Sequence, residues 1–508
     1  MLFVGGRLDK SSRAPVETTD TEKTARLNRV GTENLQMLAN LANCPPVAIE
    51  LGQVFADAGF ELALVGGSVR DLLLGRESGD LDFATSALPD QTEAILNKWA
   101  DTTWDIGKAF GTIGAKKFDY TIEITTYRDD DYEASSRKPT VVYGETLDGD
   151  LSRRDLTINS MAIRVPSLAF VDPFGGLPDL GAKMLRTPVD PMQSFDDDPL
   201  RMLRVARFAA QLGFRVAGDT AEAMLKMAPR LGIVSAERIQ AELTKLLMSA
   251  NPILGLTLLV DTGLAEYVLP ELVALQLEID EHHRHKDVYS HSLQVLQQAI
   301  DLETGPDGDI PRPDLVLRLA ALLHDAGKPA TRRFERDGGV SFHGHDVVGA
   351  RLIKKRLKAL KYEKQIVNDV SRLIELHLRF HGYGEGVWTD SAVRRYVTDA
   401  GPLLSRLHCL TRADCTTRNV KKAQRLSDAY DELEARITAL RQQEKIDAIR
   451  PDLSGNEIME ILAIPPGPLV GKAYNHMLAL RMENGPMDPD QAKAALLTWW
   501  EGQQKPVG

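Results

Sequence analysis

Two neighbouring segments decide the fold of this chain, Leu64-Val65-Gly66-Gly67-Ser68-Val69-Arg70-Asp71 and Gly79-Asp80-Leu81-Asp82. The first segment predicts a strand that ends in two glycines and leads into a helix. Glycines at such a turn let backbone N–H groups approach a triphosphate closely, and the helix N-terminus adds favourable partial charge. Arg70, in the first turn of that helix, is placed to contact phosphate oxygens. The pattern predicts a phosphate-binding turn built from Gly66, Gly67 and Arg70.

The second segment predicts a metal site. Asp80 and Asp82 stand two residues apart on a predicted strand, so both carboxylates lie on one face of it. Two oxygen ligands on one face suit Mg²⁺, which keeps several waters and bridges substrate phosphates. A pair of such ions lowers the pKa of a ribose hydroxyl and stabilises a pyrophosphate leaving group. Glu123, on the polar side of an alternating strand, joins Asp80 and Asp82 as the third predicted catalytic acid.

The pattern of apolar residues predicts an α+β fold. Short runs with strand character alternate with helical stretches from about residue 45 to residue 191, and the predicted strands are 63–65, 81–84, 112–116 and 120–127. From about Met192 onward the apolar residues recur at helical spacing, as in 237–247 and 253–260. A charged, heptad-like helix is predicted for 421–444. We therefore expect a small mixed α/β head followed by helical domains.

The composition fits a globular protein without a membrane segment. The chain is 43% hydrophobic, and its longest apolar runs are far too short to span a bilayer. Three cysteines without paired spacing argue against a disulfide framework and fit a reducing cytoplasm. The net charge of -11 argues against nucleic-acid binding by the chain as a whole, although such binding depends on local basic surfaces. We expect a cytoplasmic protein that has no membrane partner.

A polar stripe follows the head. Asp198, Arg201, Arg204 and Arg207 recur every three residues and so lie along one side of a helix. One interpretation is a ladder of i,i+3 salt bridges on a solvated face. The other is a nucleotide site, because a carboxylate acceptor beside a guanidinium donor can pair with the Watson–Crick edge of cytosine or adenine. Side chains in that role replace a nucleic-acid template.

In this order, the motifs resemble the nucleotidyltransferase head of the class II tRNA CCA-adding enzymes and bacterial poly(A) polymerases, over about residues 62–273. The resemblance assigns base reading to the positions of Asp198 and Arg201. It implies that Arg204 and Arg207 support them or contact phosphates. The family usually has Glu where this chain has Asp197.

Two further motifs extend the resemblance. The stretch Arg153-Arg154-Asp155-Leu156-Thr157-Ile158-Asn159 looks like the ribose-recognition motif. It implies nucleotide-binding roles for Arg154, Asp155 and Asn159, with Asp155 positioned for a 2′-hydroxyl. The family's flexible-loop element, associated with the switch from C to A addition, is matched by Asp129, Glu133 and Arg137.

A set of histidines and aspartates occupies the helical region. Its members follow one another in the order His291, His324, Asp325, His345, His377 and Asp414. Such ligands from several helices can assemble one or two divalent sites, with a bound water activated for attack on phosphate. The six match the pattern of HD-superfamily metal phosphohydrolases, which implies a divalent transition metal in this HD site. The alternative is a relic metal site that only holds the helices together.

The resemblance implies five regions: a mobile leader (1–43), the nucleotidyltransferase head (44–190), a helical neck with the base-recognition helix (191–273), the HD domain (274–420) and a helical tail that contacts tRNA (421–508). It implies addition of C, C and A to the 3′ end of tRNA from CTP and ATP, with release of pyrophosphate and Mg²⁺ in the head. One alternative is a polymerase with poly(A), CC-only or A-only output. Another is a metal phosphohydrolase whose head is a regulatory RNA-binding module. The complete loop element favours full CCA addition.

Overall fold

The computed structural model describes residues 34–108, 111–131, 140–276, 288–305, 308–336, 339–382, 388–416, 419–444 and 449–504. The chain forms two compact units that divide between Val268 and Leu269. Among the described helices, none has both the length and the apolar character needed to cross a membrane. The three cysteines are free thiols, as their number and spacing predict.

The first unit is built on a seven-stranded sheet, with strand order β3-β4-β5-β2-β1-β8-β9. β2 and β5 run parallel, and the other neighbouring pairs run antiparallel. Two short ribbons, β6–β7 and β10–β11, lie outside this sheet. The strands are β1 (Leu62–Val65), β2 (Asp80–Thr85), β3 (Thr102–Gly107), β4 (Thr112–Lys117), β5 (Tyr120–Thr126), β6 (Arg128–Asp131), β7 (Thr140–Tyr143), β8 (Ala162–Val165), β9 (Ala169–Val171), β10 (Met184–Leu185) and β11 (Arg215–Val216).

The helices of the first unit are α1 (Pro46–Asp57), α2 (Gly67–Leu73), α3 (Pro89–Trp99), α4 (Leu147–Ser152), α5 (Gly176–Ala182), α6 (Pro191–Asp197), α7 (Leu200–Leu212), α8 (Gly218–Met227), α9 (Ala236–Leu247), α10 (Pro252–Asp261) and α11 (Ala265–Val268). α7 is buried along most of its length and packs against α9 and α10. Gly255 permits a close crossing there, because a Cβ at this position would lie 2.8 Å from the carbonyl oxygen of Ala206. On the polar side of α7, Arg201 and Arg204 donate to the carbonyl of Arg153 and the carboxylate of Asp155, which follow α4 in the chain.

The second unit is helical apart from a hairpin of β12 (Arg333–Phe334) and β13 (Val340–Ser341). Its helices are α12 (Pro270–Val273), α13 (Val288–Asp301), α14 (Leu315–Leu323), α15 (Lys328–Thr331), α16 (His345–Ala359), α17 (Lys364–Leu376), α18 (Asp390–Ala400), α19 (Leu404–Asp414), α20 (Val420–Glu444), α21 (Gly455–Leu462), α22 (Pro468–Asn484) and α23 (Pro489–Gln504). α14 is central because residues 317–323 are all buried, and it packs against α13, α17 and α19.

The predicted secondary structure is confirmed in its main elements. β1, β2, β4 and β5 correspond to the four predicted strands, and α9, α10 and α20 to the predicted helices. β3, β8 and β9 were not predicted. Residues 34–43, at the end of the predicted leader, are helical, and the Asn40 side chain donates to the Leu73 carbonyl of α2 at 2.9 Å. Residues 1–33 of the predicted leader lie outside the described residues.

Candidate active site and candidate metal centre

Three carboxylates lie side by side on the sheet of the first unit. Asp80 and Asp82 point to the same face of β2, while Leu81 between them is buried on the other face. The parallel pairing of β2 with β5 sets Asp82 directly opposite Glu123 and Asp80 opposite Thr121. Alternation along each strand and the register between the strands together bring Asp80, Asp82 and Glu123 onto one face.

The start of α2 is fastened to these carboxylates through Ser68. The Ser68 hydroxyl accepts a hydrogen bond from the backbone N–H of Asp82 at 3.0 Å and donates to the carbonyl of Asp80 at 3.3 Å. The glycine turn and the acidic strand therefore form one rigid element, as the order of the two deciding segments suggests.

The surroundings raise the pKa of two of the carboxyls. Desolvation raises the pKa of Asp82 even though its side chain faces the open cleft, repulsion from Asp80 adds to this rise, and Arg154 partly opposes it. Desolvation also raises the pKa of Glu123, and repulsion from Asp82 and Asp80 adds to it. Full ionisation of the group is therefore unfavourable without a cation. This set of carboxylate oxygens fits a hard divalent metal ion.

The glycine turn lies directly beneath a guanidinium group. Gly66 has φ of 68°, and a Cβ at this position would lie 2.9 Å from Nη1 of Arg154. The buried carboxylate of Asp150 holds that side chain, accepting from Nη2 of Arg154 at 2.9 Å and from Nη2 of Arg153 at 3.1 Å. Burial raises the pKa of Asp150, but the two guanidinium groups outweigh burial, so its net pKa is lowered. An anion above the turn would meet Arg154.

A chain of hydrogen bonds connects α2 with α7. Arg70 donates from Nη1 to Asn159 at 2.7 Å, and Asn159 donates to Oδ1 of Asp155 at 2.9 Å. The other oxygen of Asp155 accepts from Nε of Arg204 at 2.7 Å. Burial raises the pKa of Asp155, but Arg204 and Asn159 outweigh it, and the net pKa is lowered. Arg70 also pairs with Asp71 at 2.8 Å, so its geometry fits a role in positioning Asp155 better than direct phosphate contact.

The two residues expected to read the base stand at the start of α7. One oxygen of Asp198 caps the helix, and the other accepts from Nη2 of Arg238 at 2.8 Å. Arg201 is 6% exposed and donates from Nη1 to the carbonyl of Ser194 at 3.1 Å and from Nη2 to the carbonyl of Arg153 at 2.6 Å. Both side chains are therefore held in fixed orientations by protein groups.

The rest of the stripe is fixed by Glu242 on α9. Glu242 is 5% exposed, and its Oε2 accepts from Nε of Arg207 at 2.5 Å. Its Oε1 lies 3.8 Å from Nη1 of Arg204. The Arg207 guanidinium also stacks on the Phe208 ring, 3.9 Å from its centroid. The stripe is therefore not a ladder on a solvated face, because it is paired with acids of other elements and turned into the unit.

A single cleft of about 760 Å³ collects most of the predicted residues. Its wall includes Gly66, Gly67, Arg70, Asp82, Arg154, Asp155, Asn159, Asp198, Arg201, Arg204 and Arg207. Asp80 and Glu123 adjoin Asp82 on the sheet. Sequence reasoning assigned no role to the eight other wall residues, Thr112, Thr125, Arg128, Arg153, Leu200, Phe208, Gln211 and Arg238. Thr125 shares the polar side of β5 with Glu123, a signal that could have identified it.

The flexible-loop prediction falls mostly outside the described residues. Glu133 and Arg137 lie there, and Asp129 belongs to β6, where only its backbone is described.

In the second unit, all six predicted ligands come together. They form two groups, within each of which the ligand atoms lie within 4.8 Å of one another: His291, His324 and Asp414, and Asp325, His345 and His377. Asp325 joins the groups, because its Oδ2 lies 3.3 Å from Nε2 of His324 and its Oδ1 lies 3.3 Å from Nε2 of His345. The two groups thus offer adjacent sites for two metal ions.

The hydrogen bonds of the histidines support a metal site. In His324, His345 and His377, Nδ1 bonds to the carbonyl three residues earlier, at 2.9, 2.8 and 2.6 Å. Their Nε2 atoms are buried and have no hydrogen-bond partner among the described residues. A carbonyl at Nδ1 fixes the tautomer in which Nε2 carries the free lone pair, the arrangement typical of metal-bound histidine.

Family models match three parts of the chain. The poly A polymerase head domain matches residues 62–186, and a probable RNA and SrmB-binding site of polymerase A matches residues 213–275. The HD domain matches residues 288–419. The first model contains the glycine turn and the three carboxylates, and the third contains all six predicted metal ligands, whereas the α7 stripe lies between the first and second models.

Characterised relatives extend the match. An A-adding tRNA nucleotidyltransferase of Deinococcus radiodurans is 32% identical over 455 residues, which cover 86% of this chain and 95% of that protein. A CCA-adding enzyme of Geobacillus stearothermophilus is 40% identical over 238 residues, which cover 46% of this chain and 57% of that enzyme. The CCA-adding relatives thus align over little more than half of their own length.

Solved structures share the fold. The CCA-adding enzyme of Bacillus stearothermophilus in complex with CTP has a TM-score of 0.64 and 25% identity, covering 91% of this chain and 99% of that one. A Thermotoga maritima CCA-adding enzyme complexed with tRNA has a TM-score of 0.56 at 18% identity, covering 93% and 98%. The grounds for assigning a family are the cleft, the metal-ligand cluster and the similarity to a relative over nearly the full length of both chains. This chain therefore belongs to the class II tRNA nucleotidyltransferases of the poly(A) polymerase-like family, and it carries an HD domain.

Proposed function

We propose that this chain adds C, C and A to the 3′ end of tRNA from CTP and ATP, with release of pyrophosphate. The observation that carries the proposal is the single cleft in which the glycine turn, Asp82 and the α7 stripe face one another. A nucleoside triphosphate needs these three features together: a phosphate cradle, an acidic metal-binding edge and polar groups for the base. The similarity to the CTP complex of the B. stearothermophilus enzyme supports the choice of nucleotide.

The chain's own groups have distinct roles in this proposal. Asp80 and Asp82 would hold Mg²⁺, with Glu123 beside them, and the bound ions would supply charge stabilisation to the triphosphate and lower the pKa of the attacking hydroxyl. The turn at Gly66 and the guanidinium of Arg154 receive the phosphates. The 3′-hydroxyl oxygen of the RNA forms its bond to the α-phosphorus as the bond from that phosphorus to pyrophosphate breaks.

Asp198 and Arg201 select the base. The Asp198 carboxylate accepts from the exocyclic amino group that cytosine and adenine share, and Arg201 donates to the neighbouring ring nitrogen. Uracil and guanine present a carbonyl where that amino group stands and so oppose a carboxylate. Rigid support from Arg238 and Ser194 makes the pair selective without a template.

Replacing Arg201 with alanine should relax the choice among nucleotides more than it weakens triphosphate binding. Loss of one base-reading partner is expected to lower discrimination of CTP against UTP by about 10- to 100-fold. The measurement is the ratio of kcat/KM for the two nucleotides. Ser194→Ala, which keeps Arg201 but removes a hydroxyl that orients it, serves as the matched control and should show a smaller loss. Equal losses for CTP and UTP with Arg201→Ala would contradict base reading by this residue.

A-only addition is the second candidate. One relative that aligns over 95% of its own length is an A-adding enzyme, whereas the CCA-adding enzyme of G. stearothermophilus aligns over 57% of its length. The groups proposed to bind the triphosphate and the base in the cleft would serve CCA addition and A-only addition alike.

The decisive experiment supplies purified protein with tRNA lacking all three terminal nucleotides and with tRNA ending in CC. Mg²⁺ is present, and CTP and ATP are given singly and together. Growth of the first tRNA by C, C and A followed by a stop supports CCA addition. Growth of only the second tRNA, by one A, assigns A-only addition. No growth of either tRNA overturns the proposal.

For the HD domain we propose a metal-dependent phosphohydrolase that acts on RNA ends or nucleotides. Imidazole and carboxylate ligands in two adjacent groups suit divalent transition metals, and the bound metal would supply an activated water for attack on phosphorus. The cluster of six ligands with inward-facing Nε2 atoms supports this proposal.

Combined His324→Ala and Asp325→Ala substitutions should remove the metal and spare nucleotide addition. Both residues are 1% exposed and belong to the second unit, whereas the cleft belongs to the first. Elemental analysis should show loss of bound transition metal, and hydrolysis of a chromogenic phosphate ester should fall to background. A large loss of nucleotide addition, with the fold intact by circular dichroism, would contradict the separation of the two sites.

A further inference from the structure

A basic surface of the second unit stands apart from the metal-ligand cluster of that unit. Seven of the fourteen residues from 351 to 364 are lysine or arginine and one is acidic, in a chain whose net charge is -11. Four of them, Arg351, Lys354, Lys355 and Lys358, lie exposed on α16, and we call these four the α16 basic face. Across the described residues, no acidic side chain lies within 4.0 Å of any of the four.

The α16 basic face points away from the metal-ligand cluster. At about 100° per residue, its side chains fall between roughly 180° and 280° around α16 from His345, which begins the helix and turns its ring toward the other ligands. Arg351 and Lys354 also line a groove of about 410 Å³ whose other wall is α17. The HD site therefore does not account for these cations.

Two neighbouring arginines, by contrast, have acidic partners. Arg356, on the same helix, pairs with Glu271 at 2.9 Å, and Arg372 across the groove pairs with Glu375 at 2.9 Å. Four neighbouring unpaired cations repel one another, and helices gain from i,i+4 pairs of opposite charge that this face does not use. Such an arrangement costs stability unless a polyanion neutralises it.

We infer that the α16 basic face binds the phosphate backbone of RNA. From Arg351 to Lys358 the face extends about 10 Å along the helix, which suits consecutive phosphates of one strand rather than a single phosphate group. Release of counterions from the backbone drives such binding without regard to sequence. The inference rests on the proposed function in one respect, because it takes tRNA as the RNA to be bound.

The test compares two variants of the full chain. Arg351→Gln/Lys354→Gln/Lys358→Gln removes three charges from the face. Lys98→Gln/Lys116→Gln/Arg333→Gln, the matched control, removes three charges from exposed positions outside the face and outside the predicted tRNA-contacting tail. Binding of tRNA is measured by fluorescence anisotropy at several salt concentrations without nucleotide. The face variant should bind at least about tenfold more weakly at 0.1 M salt, with the slope of log K against log salt reduced by about two to three.

The outcomes separate this inference from the proposed function. Equal affinities and slopes for the face variant and the control would overturn the inference, even if wild-type protein adds nucleotides to tRNA. Absence of nucleotide addition by wild-type protein would overturn the proposed function, while the loss of RNA affinity in the face variant would still support the inference. A change in sedimentation of the face variant without a change in RNA affinity would assign the face to a protein interface and overturn the inference.

Discussion

Replacing Asp82 with asparagine is expected to lower nucleotide addition by about 1000-fold or more. The substitution keeps the shape of the side chain but removes the charge at the centre of the acidic edge, beside Asp80 and opposite Glu123. A loss of several kcal/mol of charge stabilisation in the transition state corresponds to a rate loss of about this size. The measurement is single-turnover addition of C or A to tRNA at saturating triphosphate.

The same variant should fold at least as well as wild type when divalent ions are chelated. Desolvation and repulsion from Asp80 raise the pKa of Asp82, so its ionisation opposes folding at neutral pH. The variant should therefore melt at an equal or higher temperature at pH 7, and the difference should vanish below about pH 4, where the wild-type carboxyl is protonated. Glu77→Gln, at an exposed acid nearby, is the control that should keep full activity. A destabilised Asp82→Asn protein would contradict the metal-ligand role.

Replacing Glu242 with glutamine is expected to have the largest effect on stability. The carboxylate is 5% exposed and pairs with Arg207, whose side chain is 8% exposed, so the substitution leaves a buried guanidinium without its counter-charge. Breaking a buried ion pair from one side typically costs about 3–5 kcal/mol. Because the chain has two compact units, the cost is measured by hydrogen exchange in α7 and α9 rather than from one melting temperature.

Two controls test whether the unpaired buried charge causes the loss of stability in Glu242→Gln. Glu222→Gln breaks a pair with Lys226 that is exposed on both sides, and it should leave exchange in α7 and α9 nearly unchanged. An Arg207→Met/Glu242→Leu protein should recover much of the lost protection, because no unpaired charge remains inside. If the amide hydrogens of α7 and α9 exchange as fast in the double variant as in Glu242→Gln, then packing rather than the unpaired charge explains the lost protection. Nucleotide addition should remain impaired in both variants, since Arg207 loses its orienting partner in Glu242→Gln and is itself removed in the double variant.

The sequence predicted the elements of the site well where local patterns carry the information. The glycine turn, the two aspartates on β2 and the alternation along β5 are all local, and the structure confirms these elements. β8 and β9 escaped prediction because they are short and lack a strong alternating pattern. β8 pairs with β1, a chain segment about a hundred residues away that no local window contains, and β9 then pairs with β8.

The groups that position the site also escaped sequence reasoning. Asp150, Arg238 and Glu242 carry no motif of their own, yet they hold Arg154, Asp198 and Arg207 in place. The pairings of Arg238 and of Glu242 join segments about forty residues apart, whereas Asp150 lies four residues before Arg154. The spacing of the α7 stripe is compatible with a ladder of salt bridges in solvent and also with the wall of a cleft. Only the position of α9 and of the seven-stranded sheet decides between the two.

The sequence by itself determined which chemical groups this protein has and the order in which they occur: a glycine turn, an acidic strand, a stripe of arginines and six metal-type ligands. Those patterns depend on residues a few positions apart, where backbone geometry alone sets the face on which a side chain lies. The tertiary structure decided which of those groups meet and which way they point. It brought Glu123 beside Asp82 and turned the Nε2 atoms of His324 and His377 inward, because strand register and helix crossing depend on packing between distant segments.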